Sequence, residues 1–370
     1  MSQTVLIACG GTGGHIYPGL AVGKALRDLG LEICFMGSDN RMEKDKIPAE
    51  GYLFEGLPIR QLNKRHPFKS LLNLWQCMRL ARQYLRQYQP AAVLGLGSYI
   101  TVPVILAAWR EKIPVILLDT NVVPGKANQY LARLAQVVAL AHAQTARYLP
   151  SGVKSHVTGS PIRPAILQGS RERGLSIFGL QPDCLTLILM GGSQGAQLLN
   201  QVLVASLPEL LAIEHVQVVH MCGADHEQAV RLAAGEYAGH PRYRLLNYVD
   251  NMPDLLACAD LAISRAGASM IAELLACQIP SVLIPGAFGG GHQMDNARAL
   301  AEAGAAVLLK ESDLSATALV ALLRDMILDQ ERLGQMRENC RRLNSPRAAQ
   351  QVAQLIQDMI SDSTKEALTC

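Results

Sequence analysis

No C-x-x-C pair occurs in this 370-residue sequence, and its nine cysteines are scattered and odd in number. That usage argues against a zinc ribbon or a disulfide framework, so reduced thiols in a cytosolic protein are expected. No D-x-D pair is present to hold a divalent metal. The N-terminus, MSQTVLIACGG, has neither a basic n-region nor a cleavage-site pattern, and reads as a first strand rather than a signal peptide. Low-complexity tracts are absent as well. Charge of one sign is not in excess: 34 Lys and Arg stand against 31 Asp and Glu, for a net +3 and a pI near 8.3. This is too mild to predict nucleic-acid binding, although it leaves room for a local basic patch. What remains is a globular composition, with 49% hydrophobic and 18% charged residues. At roughly 100–200 residues per domain, the length predicts about two domains.

One stretch, AAVLGLGSYITVPVILAAW at 91–109, runs nineteen residues without a charge. A membrane span needs about 20 such residues. Gly95, Gly97, Ser98 and Pro103 interrupt this one, so a buried strand, a glycine turn and a buried helix are expected instead. Elsewhere β-rich runs alternate with helical patterns: TVLIACG, EICFMGS, AAVLGLG, PVILLD and VVALAH, then LTLILMGG, VQVVHMCG, YRLLNYV, LAISRAG and PSVLIPG. Most are continuously apolar, which requires cover on both faces. That predicts parallel sheets flanked by helices, the doubly wound α/β class. A weak repeat, VLIACGGTGGH and LILMGGSQGA about 180 residues apart, supports two such domains. TGSPIRPAILQGSRERG between them reads as the linker, and Pro346 marks a break before a final helical run.

The glycine turns carry the chemistry. GGTGGH follows a strand and opens a helix; glycine permits positive φ, and helix N-terminal amides face any anion set there. A plain tight turn is the bland alternative. The dinucleotide fingerprint G-x-G-x-x-G is absent, since Ile16 falls where the last glycine belongs. Asp39 near the end of the second strand keeps a nicotinamide enzyme only weakly in play. GGSQGA is the stronger anion site, because the Ser193 hydroxyl adds a donor beside the helix amides. GLGSY at 95–99 repeats the device in the first half. Three such turns suggest a cleft holding two phosphorylated molecules beyond the carboxyl ends of the strands.

Later come SRAGASMIAEL and GGGHQMDNA. Glu273 lies in the first turns of a helix, near the dipole's positive end, and suits a ribose diol; a helix-start acid is the bland reading. His292, Gln293 and Asn296 suit sugar hydroxyls. In NYVDNMPDLL, Tyr248 and Val249 could pack on a planar base, or simply end a strand.

The motifs GGTGGHIYPGLAV, GLGSY, GSPIR, GGSQGA, SRAGASMIAEL and HQMDNA, in this order over nearly the whole chain, resemble the MurG family of N-acetylglucosaminyltransferases. The resemblance implies a GT-B fold: two Rossmann-like domains facing across a cleft, with the C-terminal helix returning to the first. The implied domains are 1–162 plus 346–370, facing acceptor and membrane, and 163–345, binding UDP-GlcNAc. It implies that Thr12, Gly13, Gly14 and His15 line the acceptor side, that Tyr99 and Gln194 bind substrate, and that Asn121 touches the donor sugar. Arg163 and Ser193 would hold the UDP diphosphate, and Val249 would meet the uracil through its backbone. Ala268, Ser269, Met270 and Glu273 would wrap the nucleoside, while His292 and Gln293 would bind donor-sugar hydroxyls. One departure stands out. Members usually carry His-Glu-Gln-Asn before and at Asn121; this chain has LLDTN, with Asp119 a candidate stand-in for the missing Glu.

The resemblance further implies inversion, with the C4 hydroxyl of MurNAc in undecaprenyl-linked lipid I attacking as UDP leaves, and no cofactor. His15 is the candidate base, or else only a binding group. Such an acceptor requires contact with the cytoplasmic face of the bacterial cell membrane. Leu71, Leu74, Trp75, Met78 and Leu85 fall at helical spacing, with Lys69, Arg79, Arg82, Arg86 and the nearby NKRH supplying charge. An ordinary helix packed on the sheet is the alternative. Two other functions stay open: an inverting glycolipid synthase with another lipid acceptor, and a non-catalytic UDP-sugar-binding subunit.

Overall fold

The computed structural model describes residues 3–61, 66–192, 195–286 and 291–369. The chain divides into two compact units, Met1–Arg163 with Ser345–Cys370, and Pro164–Asn344. The first runs β1 (Thr4–Ala8), α1 (Gly13–Asp28), β2 (Glu32–Ser38), α2 (Glu43–Ala49), β3 (Leu53–Leu57), α3 (Pro67–Tyr88), β4 (Ala92–Gly95), α4 (Ser98–Arg110), β5 (Val115–Asp119), α5 (Lys126–Leu131), β6 (Val137–Leu140) and β7 (Ser155–Val157). The second holds α6 (Arg171–Phe178), β8 (Leu185–Met190), α7 (Gln197–Leu211), β9 (Val216–Met221), α8 (Glu227–Ala234), β10 (Tyr243–Leu246), α9 (Met252–Cys258), β11 (Leu261–Ser264), α10 (Ala268–Ala276), β12 (Ser281–Leu283), α11 (His292–Glu302), β13 (Ala306–Leu308), α12 (Ala316–Leu328) and α13 (Gln330–Leu343). A last helix, α14 (Ala348–Thr369), belongs to the first unit.

Each unit is one parallel sheet between helical layers. The orders are β3-β2-β1-β4-β5-β6-β7 and β10-β9-β8-β11-β12-β13. In β1 the two-residue period sends Val5 and Ile7 to one face, where Leu20 and Leu26 of α1 meet Val352 and Ile356 of α14. Leu6 and Ala8 face the other way, onto Cys77, Leu85, Ile100, Val104 and Ile105. Both faces are covered, so the strand is apolar throughout. The chain re-enters the first unit past Gly159: its φ is +80°, and a β-carbon there would fall on the Ser345 side chain.

The ten expected strands are present, and three more appear: β3, β7 and β13. All three are sheet edges. An edge strand is short and open on one side, so it shows no continuous apolar run; β7 is exposed along its length. The uncharged stretch at 91–109 forms β4, a turn and α4. Among the described residues no helix is long and apolar enough to cross a membrane. The Pro/Gly/Arg-rich linker does contain the boundary between units, but its end is not loop. Ser170 accepts from the Arg173 amide and caps α6.

Strand order reverses between β1 and β4 in the first sheet and between β8 and β11 in the second. At such a reversal the helices leave to opposite faces, which opens a crevice beyond the carboxyl ends of the strands. GGTGGH and GLGSY lie at the first reversal, and GGSQGA and SRAGAS at the second.

Candidate functional site

At the first reversal the chain leaves β1 through Gly10 and Gly11, whose φ values are +153° and +89°. Thr12, in extended conformation, is the N-cap of α1 but contributes no side-chain cap. Its carbonyl accepts from the His15 and Ile16 amides. Gly13, Gly14 and His15 form the half-exposed first turn of the helix, and Thr12 is exposed. The Tyr17 ring closes over Gly13, where a β-carbon would sit 2.9 Å away. The Arg163 guanidinium lies 4.1 Å from the centroid of that ring. Such stacking suits a delocalised cation. Arg163 and the GGTGGH helix start are therefore neighbours within one unit.

The GLGSY turn is strained in a different way. Gly97 has φ +83°, and Ser98 holds φ +66°. Ser98 Oγ accepts from the Ile100 amide, which caps α4 from within, and Tyr99 stands half-exposed beside it. The Asn128 side chain packs against Gly97, 3.3 Å from where a β-carbon would be. Asn128 in turn donates to Asp119 Oδ2 at 2.9 Å and to the Leu118 carbonyl at 3.0 Å.

Asp119 is 3% exposed. Its other donors are the Asn121 backbone amide at 3.0 Å, the Asn121 side-chain amide at 3.4 Å and the Gly125 amide at 2.9 Å. Burial raises its pKa above the usual carboxylate value, and these donors pull the other way. With both oxygens taken up by its own loop, Asp119 organises the segment that presents Asn121. That occupancy argues against Asp119 as a replacement for the family's glutamate.

In the second unit, Ser193 and Gln194 lie outside the described residues. The turn around them leaves β8 through Gly192 (φ +92°) and enters α7 through Gly195 (φ +73°). A β-carbon on Gly195 would fall on the Cys222 carbonyl. That carbonyl also accepts from Asn200 Nδ2 on α7, at 2.9 Å. Asn200 Oδ1 is 3.0 Å from His220 Nε2, and His220 Nδ1 is 2.8 Å from the Tyr243 hydroxyl. Because the Asn200 amide nitrogen donates to Cys222, its oxygen must accept. The bonding pattern therefore assigns the His220 proton to Nε2 and makes Nδ1 the acceptor for Tyr243. Burial drops His220 to about 3, so it is neutral. This chain of neutral groups pins the start of α7, and sequence reading did not single it out.

At SRAGAS, Gly267 caps α10, and Ala268, Ser269 and Met270 are half-exposed on its first turn. Glu273 is the sixth residue of α10, and no acid occupies the first turn. The helix-dipole argument for it therefore fails, since that effect fades within one turn. Glu273 is instead a buried carboxylate on the second turn. The Val249 side chain is in the core with Ile166, Met252 and Leu256, so only its backbone can face a ligand; Tyr248 is exposed. His292 and Gln293 open α11 after Gly291 (φ +93°). Gln293 Oε1 accepts from the Gly286 amide at 2.9 Å, closing the two ends of the glycine-rich segment. Asn296 donates to the Ala266 carbonyl and ties α11 to the SRAGAS turn.

Burial raises the thiols beside these turns, Cys9 and Cys222, and so favours their protonated form. Burial pushes Cys34 and Cys340 up to about 12, and Cys77, Cys258 and Cys277 to about 11. Among the described residues no group of three or more His, Cys, Asp or Glu could hold a metal ion.

The amphipathic α3 divides the apolar residues expected on one face. Cys77, Ala81 and Leu85 are buried inward, with Leu74 and Met78 half-buried. Phe68, Leu71, Leu72 and Trp75 point out, at 86%, 64%, 56% and 55% exposure. Arg79 lies 5.9 Å from the Trp75 ring centroid. Arg82 and Arg86 both pair with Glu111 at the end of α4, so they anchor helix to helix. The basic charge beside the outward patch is thus Lys69 and Arg79; NKRH lies mostly outside the described residues.

The comparisons agree with this architecture. Residues 5–140 match the glycosyltransferase family 28 N-terminal domain, and residues 186–355 match the family's C-terminal domain. A UDP-N-acetylglucosamine--N-acetylmuramyl-(pentapeptide) pyrophosphoryl-undecaprenol N-acetylglucosamine transferase of Halothermothrix orenii is 37% identical over 364 residues, covering 96% of this chain and 98% of the relative. A protein of the same name from Nitrosococcus oceani is 37% identical, with 96% and 98% covered. The crystal structure of Acinetobacter baumannii MurG superposes with a TM-score of 0.77 at 26% identity, covering 97% of this chain and 100% of that one. A calicheamicin glycosyltransferase, at 15% identity and a TM-score of 0.67, shares the fold. The chain belongs to glycosyltransferase family 28 and, within it, to the MurG family.

Proposed function

We propose that the chain transfers N-acetylglucosamine from UDP-N-acetylglucosamine to the C4 hydroxyl of MurNAc in undecaprenyl-diphosphate-MurNAc-pentapeptide, converting lipid I to lipid II for peptidoglycan. The observation that carries the reading is the full-length likeness to relatives of that name, with two glycine-turn crevices in one chain. In the reaction the acceptor oxygen forms a bond to the anomeric carbon from the face opposite the departing phosphate. The bond from that carbon to the diphosphate breaks, UDP takes the electron pair, and the hydroxyl proton passes to a base.

The donor belongs with the second unit. Its diphosphate would sit at the GGSQGA turn, where Ser193, Gln194 and the α7 amides meet the charge that builds on UDP. Glu273 would take the ribose diol, Val249 would read the uracil through its backbone, and Ala268, Ser269 and Met270 would line the nucleoside. His292 and Gln293 would meet the sugar, Gln293 through its amide nitrogen because its oxygen is taken by Gly286. On the first unit Thr12, Gly13, Gly14 and Tyr99 would face the acceptor, Asn121 the donor sugar, and His15 would accept the proton. Arg163, held against Tyr17, would bring positive charge to the leaving diphosphate.

The acceptor is membrane-bound, so the chain would work as a peripheral protein on the cytoplasmic face of the bacterial cell membrane. Phe68, Leu71, Leu72 and Trp75 with Lys69 and Arg79 form an apolar patch with basic neighbours, a composition that suits anionic headgroups. The test is purified full-length chain with labelled UDP-N-acetylglucosamine and either lipid I or diacylglycerol. Label in lipid with lipid I alone is the expected result. Label only with diacylglycerol would make the chain a different glycolipid synthase, and UDP-sugar binding without any transfer would make it a binding subunit.

A further inference from the structure

Glu43, on the first turn of α2, is a carboxylate with 0% exposure that no step above uses. Its two oxygens accept from the Gly11 amide at 3.1 and 3.2 Å, and Oε1 also accepts from the Ser38 amide at 3.1 Å. These donors are backbone groups. The carboxylate therefore stands beneath GGTGGH in the role an anion would otherwise fill from outside. The fit is close on every side. A β-carbon on Gly10 would fall on Glu43 Oε1, and one on Gly37 would sit 2.9 Å from Glu43 Cγ.

The glycine turn depends on such ties for its shape. Thr12 gives no side-chain cap, and Gly13 and Gly14 impose no conformation of their own. Past the end of β1, the Cys9 amide still donates to the Met36 carbonyl of β2, and two residues on the Glu43 carboxylate takes up the Gly11 amide and ties the glycine turn to α2. An amide turned away from water and left without an acceptor is destabilising, so removing the carboxylate gives the loop a reason to turn Gly11 elsewhere.

We propose that Glu43 is a positioning residue of the transfer reaction. It locks the β1–α1 turn from below, and so sets where the His15 ring stands relative to the acceptor hydroxyl. The inference rests on the transferase reading, and wild-type turnover in the same assay separates a failure of that reading from a failure of this one.

The test uses full-length Glu43→Ala, Glu43→Gln and Glu43→Asp, with initial rates, KM for UDP-N-acetylglucosamine and thermal melting. A displacement of even ~1 Å at a reacting group can cost on the order of 100-fold. Glu43→Ala is expected to lower kcat by roughly tenfold or more while KM for the donor, bound on the other unit, stays within about twofold. Glu43→Gln keeps the reach, and one oxygen can still accept from both amides, so most of kcat should return. Glu43→Asp keeps the charge but loses one methylene of reach, and should fall between the two. Unchanged kcat in Glu43→Ala would overturn the proposal, as would kcat and KM deteriorating together. If Glu43→Ala does not fold, the other pair decides. Gln more active than Asp supports positioning by reach, and Asp more active than Gln overturns it.

Discussion

The two strand-order reversals are built from the same device, a strand, a glycine turn and a helix, yet they are held from beneath in opposite ways. In the first unit the supports are buried carboxylates: Glu43 under GGTGGH and Asp119 behind the loop that presents Asn121. In the second the support is a neutral relay from Tyr243 through His220 and Asn200 to the Cys222 carbonyl. The difference bears on where an anion belongs. A turn that already spends an inward amide on an internal carboxylate is a poorer cradle for a diphosphate, while a turn pinned by uncharged groups keeps the full pull of its helix amides. This supports the proposed division, with the nucleotide on the second unit and the first orienting a hydroxyl and taking its proton.

The strongest way to break this division is at the glycines themselves. Gly195→Ala would set a β-carbon on the Cys222 carbonyl at a φ of +73°, and Gly10→Ala would set one on Glu43. Backbone strain and overpacking together cost roughly 2–6 kcal/mol at such positions. Gly195→Ala should abolish UDP binding in calorimetry while leaving acceptor-side turns intact. Gly10→Ala should leave UDP binding in place and depress turnover. The reverse pattern would exchange the roles of the two units.

Acid pH sharpens the comparison, because the two supports titrate with opposite signs. His220 is held near 3, far below its ordinary value of 6.5, so the unfolded chain takes up a proton that the native site refuses. Its contribution is therefore lost as pH falls from 6.5 towards 3, with a slope of up to ~1.4 kcal/mol per pH unit. Asp119 is raised by burial, so the native state binds its proton first, and its contribution declines as pH rises above the ordinary carboxylate value of 3.8. Hydrogen exchange, corrected for intrinsic rate, should show β8, β9 and α7 losing protection before β1, β4 and β5 between pH 7 and 4.5. His220→Gln should flatten the trend. Equal loss in both units would remove the contrast.

A smaller effect is expected at the surface of α3. Trp75→Glu puts a charge into the outward patch and should lower the fraction bound in flotation with anionic liposomes several-fold, since each buried apolar side chain contributes about 1.5–3 kcal/mol. Turnover on a short, soluble acceptor should not change. An unaltered bound fraction would shift membrane contact to another surface.

Much of this was legible in the sequence. The continuously apolar runs gave parallel sheets covered on both faces, and the glycine turns fell at the reversals. What escaped had physical reasons. The edge strands β3, β7 and β13 carry no two-sided apolar signal. Glu43 sits in DNRMEKDK, which reads as a solvated charged segment, and it meets Gly11 across 32 positions. His220 and Tyr243 lie inside apolar strands, where nothing local announces a hydrogen-bond relay. The apolar spacing of α3 was visible, but spacing alone could not tell that Leu85 packs inward while Trp75 faces out, or that Arg82 and Arg86 are committed to Glu111.

The division of labour is tested most directly by His15→Ala, with turnover on lipid I and the dissociation constant for UDP measured on the same preparation. Loss of a general base predicts turnover lower by on the order of 10²–10⁴-fold, with UDP affinity unchanged. Unaltered turnover, or UDP affinity falling as far as turnover, would contradict the account.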